Sequence, residues 1–291
     1  MAAITSVETL NPSPGLMRRL LGNLSGTVGL IIVTVFVIIA ILGALGITPY
    51  PSVEQHMTNR LKAPSSAFIM GTDLFGRDIA SRVMEGAGNS FKVAFISVAL
   101  ASVVGITLGM ISGFAGGRVD NWIMRFMDIF FAFPALLLAL VVVTVMGPGL
   151  IQTALAIAVV YTPIFARVAR GPVLAVKERE FVLAARCVGM RPARILLRHI
   201  FPNTLAPLIV QISLALSWSL LTEAALSFLG LGTQPPAASW GVMLSEGRSL
   251  AEKAPWLIIF PGFAIMLGVL GFNLLGDGLR DILDPRMRGT R

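Results

Sequence analysis

Apolar and polar residues alternate along this chain in blocks rather than in short periods. Six blocks, at about 26–46, 90–112, 129–146, 151–168, 205–229 and 257–275, are almost free of charge, and polar segments separate them. A helix needs roughly 20 apolar residues to cross the ~30 Å hydrocarbon layer of a bilayer. The pattern therefore predicts an all-α polytopic membrane protein with six transmembrane helices. A polar tail at 1–25, holding Asn11, Pro12, Ser13, Pro14, Arg18 and Arg19, leads into one membrane domain at 26–276, and a second tail occupies 277–291. The uncharged run from Leu24 to Pro49 is too long for the apolar region of a signal peptide and reads as a retained first helix.

Punctuation between the blocks adds detail. Gly113, Gly116 and Gly117 open a short basic turn that runs to Asp128, and Gly147, Pro148 and Gly149 form a tight turn into the fourth span. Pro134 stands in the first turns of span three and Pro163 is expected to kink span four. Lys92 sits near the outer end of span two, where its long side chain can reach the interface.

Composition supports the class: 55% of residues are hydrophobic, 13% are charged and the mean hydropathy is +0.82. A net charge of +8 would suit a nucleic-acid partner, but membrane proteins gather Lys and Arg on the cytoplasmic side for topological reasons. With the N-terminus inside, 16 of the 23 basic residues fall in inner segments, so the orientation is N-in, C-in and no nucleic acid is expected.

Several chemistries are excluded. Cys187 is the only cysteine and His56 and His199 the only histidines, which rules out a disulfide framework and a Cys/His metal site. The four lysines follow Leu61, Phe91, Val176 and Glu252, so no Gly-Lys-Ser/Thr phosphate loop exists, and there is no metalloprotease or nucleophile-elbow motif. No catalytic, cofactor or metal residues are assigned. A self-sufficient secondary carrier or channel is the alternative reading, but an ion-coupled carrier needs ionisable relays inside its spans. Glu223 is the single acid well inside one. It lines a polar translocation path or caps the outer end of span five.

The energy source must then be a partner, and the loop at 170–204 is where one would dock. It carries Arg170, Lys177, Arg179, Arg186, Arg191, Arg194 and Arg198 against Glu178 and Glu180. Residues Ala175 to Val188 lack Gly and Pro and suit a helix; Gly189 breaks it, and Pro192 starts a second short helix expected to end before Pro202. Arg191, Arg194 and Arg198, at i, i+3 and i+7, share a face. Leu183, Ala184 and Ala185 form a small apolar tip that can seat in a groove of a partner.

At these residues the chain resembles the membrane subunit of a bacterial ABC importer of the dipeptide, oligopeptide and nickel class, the second permease of the pair. The family's loop motif is Glu-Ala-Ala, three residues, Gly, then nine residues and a hydrophobic-x-Leu-Pro ending. Ala184, Ala185, Gly189 and Pro202 match it; Leu183 replaces the glutamate, His199 the first hydrophobic residue and Phe201 the leucine. Glu180, one helical turn earlier, is the available substitute for the missing acid. Four more strings are similar to the same class: GTDLFGRDIASR at 71–82, MRFMDIFFAFPALLLAL at 124–140, TEAALSFLGLGTQPPAASWG at 222–241 and FNLLGDGLRDILDP at 272–285.

The resemblance implies a type I ABC importer permease fold in the bacterial inner membrane. It also implies a heterodimer with a second permease, two cytoplasmic ATP-binding subunits that perform the hydrolysis, and an extracytoplasmic substrate-binding protein. Substrates of the class are peptides, nickel, glutathione, opines and some saccharides. Asp73, Arg77, Asp78 and Trp240 become contacts for the binding protein or the partner permease. The competing reading makes Gly71 and Gly76 turns, Asp73 and Asp78 helix caps and Trp240 part of an interfacial aromatic belt.

Overall fold

A computed structural model describes residues 16–283; the tail residues Asn11 to Pro14 and Arg286, Arg288 and Arg291 lie outside the described residues. Short α1 (Leu16–Leu21) precedes α2 (Leu24–Ala44), and an irregular outer segment with one 3-10 turn leads to α3 (Ile79–Ala115). Next come α4 (Gly117–Phe131), α5 (Ala135–Met146), α6 (Leu150–Val176) and α7 (Glu180–Cys187). Helix α8 (Pro192–Ile195) passes through a π-turn into α9 (Phe201–Phe228), and α10 (Trp240–Gly247) and α11 (Trp256–Leu283) complete the bundle. Among the described residues, five helices are long and apolar enough to span a membrane, or six when the bent pair α4–α5 counts as one.

The chain direction alternates, so the ends of α3 and α6, the starts of α4 and α9, and all of α7 gather at one end. That end holds thirteen of the described basic residues from Arg18 to Arg280 and is the inner one by charge. The closest packing is between α3 and α6. Gly105, Gly109 and Gly113 form one stripe of α3, and a methyl group added at Gly109 would come within 2.2 Å of the Ala166 carbonyl. This is the small-xxx-small device by which membrane helices approach where apolar lipid gives no hydrophobic drive to associate. Polar pairs join other helices: Ser97 to Ser219 at 2.6 Å, Ser217 to Asn273 at 2.7 Å, and Tyr161 to Thr222 at 2.8 Å.

Helix bounds depart from the sequence expectation where protein rather than lipid covers the helix. Span two begins at Ile79, not near 90, because Asp78 caps it: its carboxylate accepts from the Ser81 amide at 2.8 Å. The polar first turns of α3, with Ser81, Arg82 and Ser90, are buried against the outer segment and the α10 region, and hydropathy reads them as loop. The expected turn at 113–128 is mostly helix α4, and the expected span at 129–146 is no single helix. α4 and α5 meet at 89° around Pro134, whose ring disfavours a helical residue before it and which brings no N–H to the ladder. Span four continues to Val176 with Pro163 and Pro172 inside it. The loop's second helix does not end before Pro202 but continues to Phe228. A π-turn, with the Phe201 amide donating to the Leu196 carbonyl, accommodates the proline there.

Candidate functional site

The loop is folded and packed onto the bundle. Helix α7 begins three residues after α6 and ends in a Schellman motif: the Met190 amide donates to the Ala185 carbonyl at 3.1 Å and the Gly189 amide to the Arg186 carbonyl at 2.9 Å. Gly189 has φ +74 there, the left-handed conformation that the motif requires. On its inner face Val182 and Ala185 pack with Met110, Val173, Ile195 and Ile200, joining α7 to α3, α6 and the start of the α8–α9 helix. The Arg186 guanidinium lies 5.6 Å from the centre of the Phe114 ring, a second tie to α3.

The outward face is Glu180, Leu183, Ala184 and Cys187, at i, i+3, i+4 and i+7, with Val188 beyond them. Ala185, expected at the tip, instead points inward at 6% exposure, because it stands three residues after the buried Val182 and so falls on the packed side of the helix. Glu180 shares the outer face with Leu183 and lies in the first turn, where the helix dipole favours a carboxylate. Arg191, Arg194, Arg198 and Pro202 are all exposed. Arg194 and Arg198 with Ala193, Leu197 and Pro202 line a shallow hollow of about 540 Å³; Arg191, the N-cap of α8, is not among its walls.

The outer residues are assembled differently from the expectation. Asp73, Arg77, Asp78 and Trp240 are all buried, so none offers a contact surface. Asp78 caps α3, and Asp73 accepts from the Phe75 and Arg77 amides at 2.8 and 2.9 Å while pairing with the Arg77 guanidinium. Arg77 and the fully buried Arg82 converge on Glu246 of α10 at 3.1 and 2.9 Å. A cavity of about 140 Å³ lies beside this cluster, with Leu74 and Phe75 among its walls. Trp240 is not in an aromatic belt: it is sealed between Phe36 and Phe91, edge-on to both, and its indole N–H donates to the Val83 carbonyl at 3.0 Å.

Glu223 is fully buried and neither faces an open path nor caps an exposed helix end. Its Oε1 accepts from the Ser227 hydroxyl at 2.6 Å and its Oε2 has no protein partner. Among the described residues no group of three or more His, Cys, Asp or Glu side chains could hold a metal ion.

Sequence reasoning missed the ion pairs that fasten α4. Asp120 takes both the Nε and Nη2 hydrogens of Arg170, at 2.7 and 2.6 Å, and also accepts from the Ser112 hydroxyl. Asp128 pairs with Arg167, whose guanidinium stacks 3.9 Å from the centre of the Phe131 ring. Acids eight residues apart on a segment read as a turn gave no helical register to match against α6.

Comparison with known proteins agrees with this architecture. Residues 105–289 match the family model described as binding-protein-dependent transport system inner membrane component. The chain is 48% identical over 271 residues to the dipeptide transport system permease protein DppC of Alkalihalophilus pseudofirmus, covering 93% of this chain and 89% of that one. It is 42% identical to the di/tripeptide permease DppC of Pseudomonas aeruginosa, covering 91% and 89%. It is also 44% identical to the glutathione transport system permease GsiD of Pectobacterium atrosepticum, covering 82% and 80%. In structure it is similar to a chain of the inward-facing MetNI methionine ABC transporter, with TM-score 0.57 and 17% identity over 68% of this chain and 94% of that one. The fold is thus that of a type I importer permease.

Proposed function

The chain belongs to the family of binding-protein-dependent transport system inner membrane components, and on that premise we propose that it forms half of the translocation path of an ATP-driven importer for short peptides. The relatives named for dipeptides, di/tripeptides and glutathione share one substrate chemistry, a small molecule with peptide bonds and charged ends. As a membrane permease it performs no catalysis itself. Separate cytoplasmic ATPase subunits supply the energy, a second permease completes the path, and an extracytoplasmic binding protein delivers the substrate.

The observation that carries this reading is the division of α7 into two faces. Val182 and Ala185 fix it to α3 and α6, while Glu180, Leu183, Ala184 and Cys187 remain exposed with no protein cover. Such a helix, locked at its base and bare at its tip, suits helix-in-groove docking on a partner. Glu180 supplies the acid that the family's loop motif places at the Leu183 position. Movement of the docked helix is then passed to α6 and α9, both continuous with the loop within a few residues, and the bundle rocks between inward- and outward-facing states.

The direct test is site-specific cross-linking from Cys187, the native single cysteine, in membranes that contain the co-expressed ATPase subunits. A cross-link to an ATPase subunit that is lost in Leu183→Arg is expected. Peptide uptake by the purified single chain in liposomes without ATP or partners would overturn the proposal.

A further inference from the structure

We propose that the Arg170–Asp120 pair is a transmission clamp: it makes the bent α4–α5 unit move with the docking helix α7. Three observations converge on it. First, α5 is anchored along one side only, with Ala139 and Val143 buried and Leu138, Leu140 and Val142 partly so, and α6 is the helix it packs against. Second, α4 turns away from α5 at 89° and crosses the inner ends of α3 and α6, where Asp120 and Asp128 take Arg170 and Arg167. Third, the last turns of α6, which carry both arginines, run into α7 after only three residues, and one of those, Lys177, donates to the Gly113 carbonyl at the end of α3 at 2.9 Å.

The mechanical consequence follows from the geometry. Force applied to α7 enters α6 directly, since α7 is packed on Val173 and continuous with α6. The sequel of α3 is different: Gly116 and Gly117, at φ +65 and +53, form a pivot with little side-chain packing of their own. Without the clamp, α4 could swing about that pivot while α6 moved. The bidentate pair, on a carboxylate side chain 11% exposed and also held by Ser112, removes that freedom. A planar guanidinium fork fixes orientation as well as distance, which a lysine cannot do. Arg170 is therefore a positioning residue for transport and touches neither ATPase nor substrate. Asp128–Arg167, half exposed on both sides, is the weaker second fastening.

The inference rests on α7 being the ATPase-docking helix, and the experiment separates the two claims. Spin labels are placed on Cys187 and on a cysteine introduced at the exposed Val145 of α5, and their distance is measured in the assembled transporter with and without ATP. The mobility of the Cys187 label on adding the ATPase subunits reports docking alone; if it does not change, the docking reading fails. Given docking, the clamp predicts one inter-label distance in all nucleotide states for the native pair, and a broadened, nucleotide-dependent distance in Arg170→Met. In the same variant peptide uptake per ATP hydrolysed falls by about tenfold, within the range of ordinary coupling free energies, while ATP hydrolysis continues. Arg170→Lys, which keeps the charge and the fold but not the fork, is expected to show an intermediate loss and serves if the methionine variant does not assemble. A nucleotide-dependent distance in the native protein overturns the clamp. So does normal uptake per ATP in both variants.

Discussion

Ala184 and Ala185 are adjacent in sequence and face opposite ways: Ala184 is exposed at the tip of α7, and Ala185 lies at 6% exposure against Val182, Val173 and Ile195. The two therefore answer substitution differently. Ala184→Arg should leave the permease folded and abolish co-purification of the ATPase subunits. Ala185→Asp forces an unpaired charge into an apolar contact, at a cost of several kcal/mol, and should detach α7 from its base. Limited trypsin digestion at Arg186 distinguishes them: only the Ala185 variant should become rapidly cleaved there.

Gly189 has φ +74 and open space around its missing side chain. Its requirement is conformational rather than steric. Gly189→Ala should cost about 1 kcal/mol, the usual penalty for an L-residue in the left-handed region, and Gly189→Asn should cost less. Melting temperatures in detergent will rank the three as Gly, Asn, Ala, with uptake following the same order.

At Gly109 the requirement is space. A β-carbon there would fall 2.2 Å from the Ala166 carbonyl and 2.9 Å from the Ala169 methyl, so α3 and α6 must separate. Gly109→Ala should destabilise the protein by roughly 1–3 kcal/mol, the range for overpacking a close contact. A matched substitution at Gly171, which meets nothing within 4 Å, should be close to neutral in the same thermal assay.

Glu246 joins two arginines, one of them fully buried. Removing its charge leaves Arg82 with Asp73 at 3.9 Å as its remaining ion-pair partner. Loss of one partner from a buried pair costs about 3–5 kcal/mol, and the 31% exposure of the Glu246 side chain places the expected effect at the lower end. Glu246→Gln should lower the melting temperature, and the double variant Glu246→Gln with Arg77→Met should lose less than the sum of the two single changes.

How legible the protein was from its residues differs from place to place. Gly189 announced the end of α7 because that signal is local, but the helix expected over Ala175 to Val188 is interrupted at Lys177 to Arg179, and α7 begins only at Glu180. The inward turn of Ala185 was within reach, since helical spacing separates it from Glu180, Leu183 and Ala184. Arg82 and Glu246 were not: their polarity argued for an exposed loop, and only a partner 164 residues away in the chain makes burial tolerable. Trp240 misled for the same reason, its indole N–H being satisfied by Val83 inside the bundle rather than by lipid headgroups. The GxxxGxxxG spacing on α3 was visible but uninterpreted, because a glycine stripe specifies close approach without saying to which helix.

The residues alone determined the membrane class, the orientation and the helix-Gly-helix layout of the basic loop. These depend on hydropathy, charge asymmetry and local helix punctuation, which are summed along the chain and need no partner to be read. The tertiary structure decided which face of α7 is free, which outer polar residues are sealed, and that α4 turns at Pro134 to lie across the inner ends of α3 and α6. Each of those is a choice between surfaces of the same helix. Only contact with a neighbour distant in sequence makes that choice, as Arg170 does for Asp120.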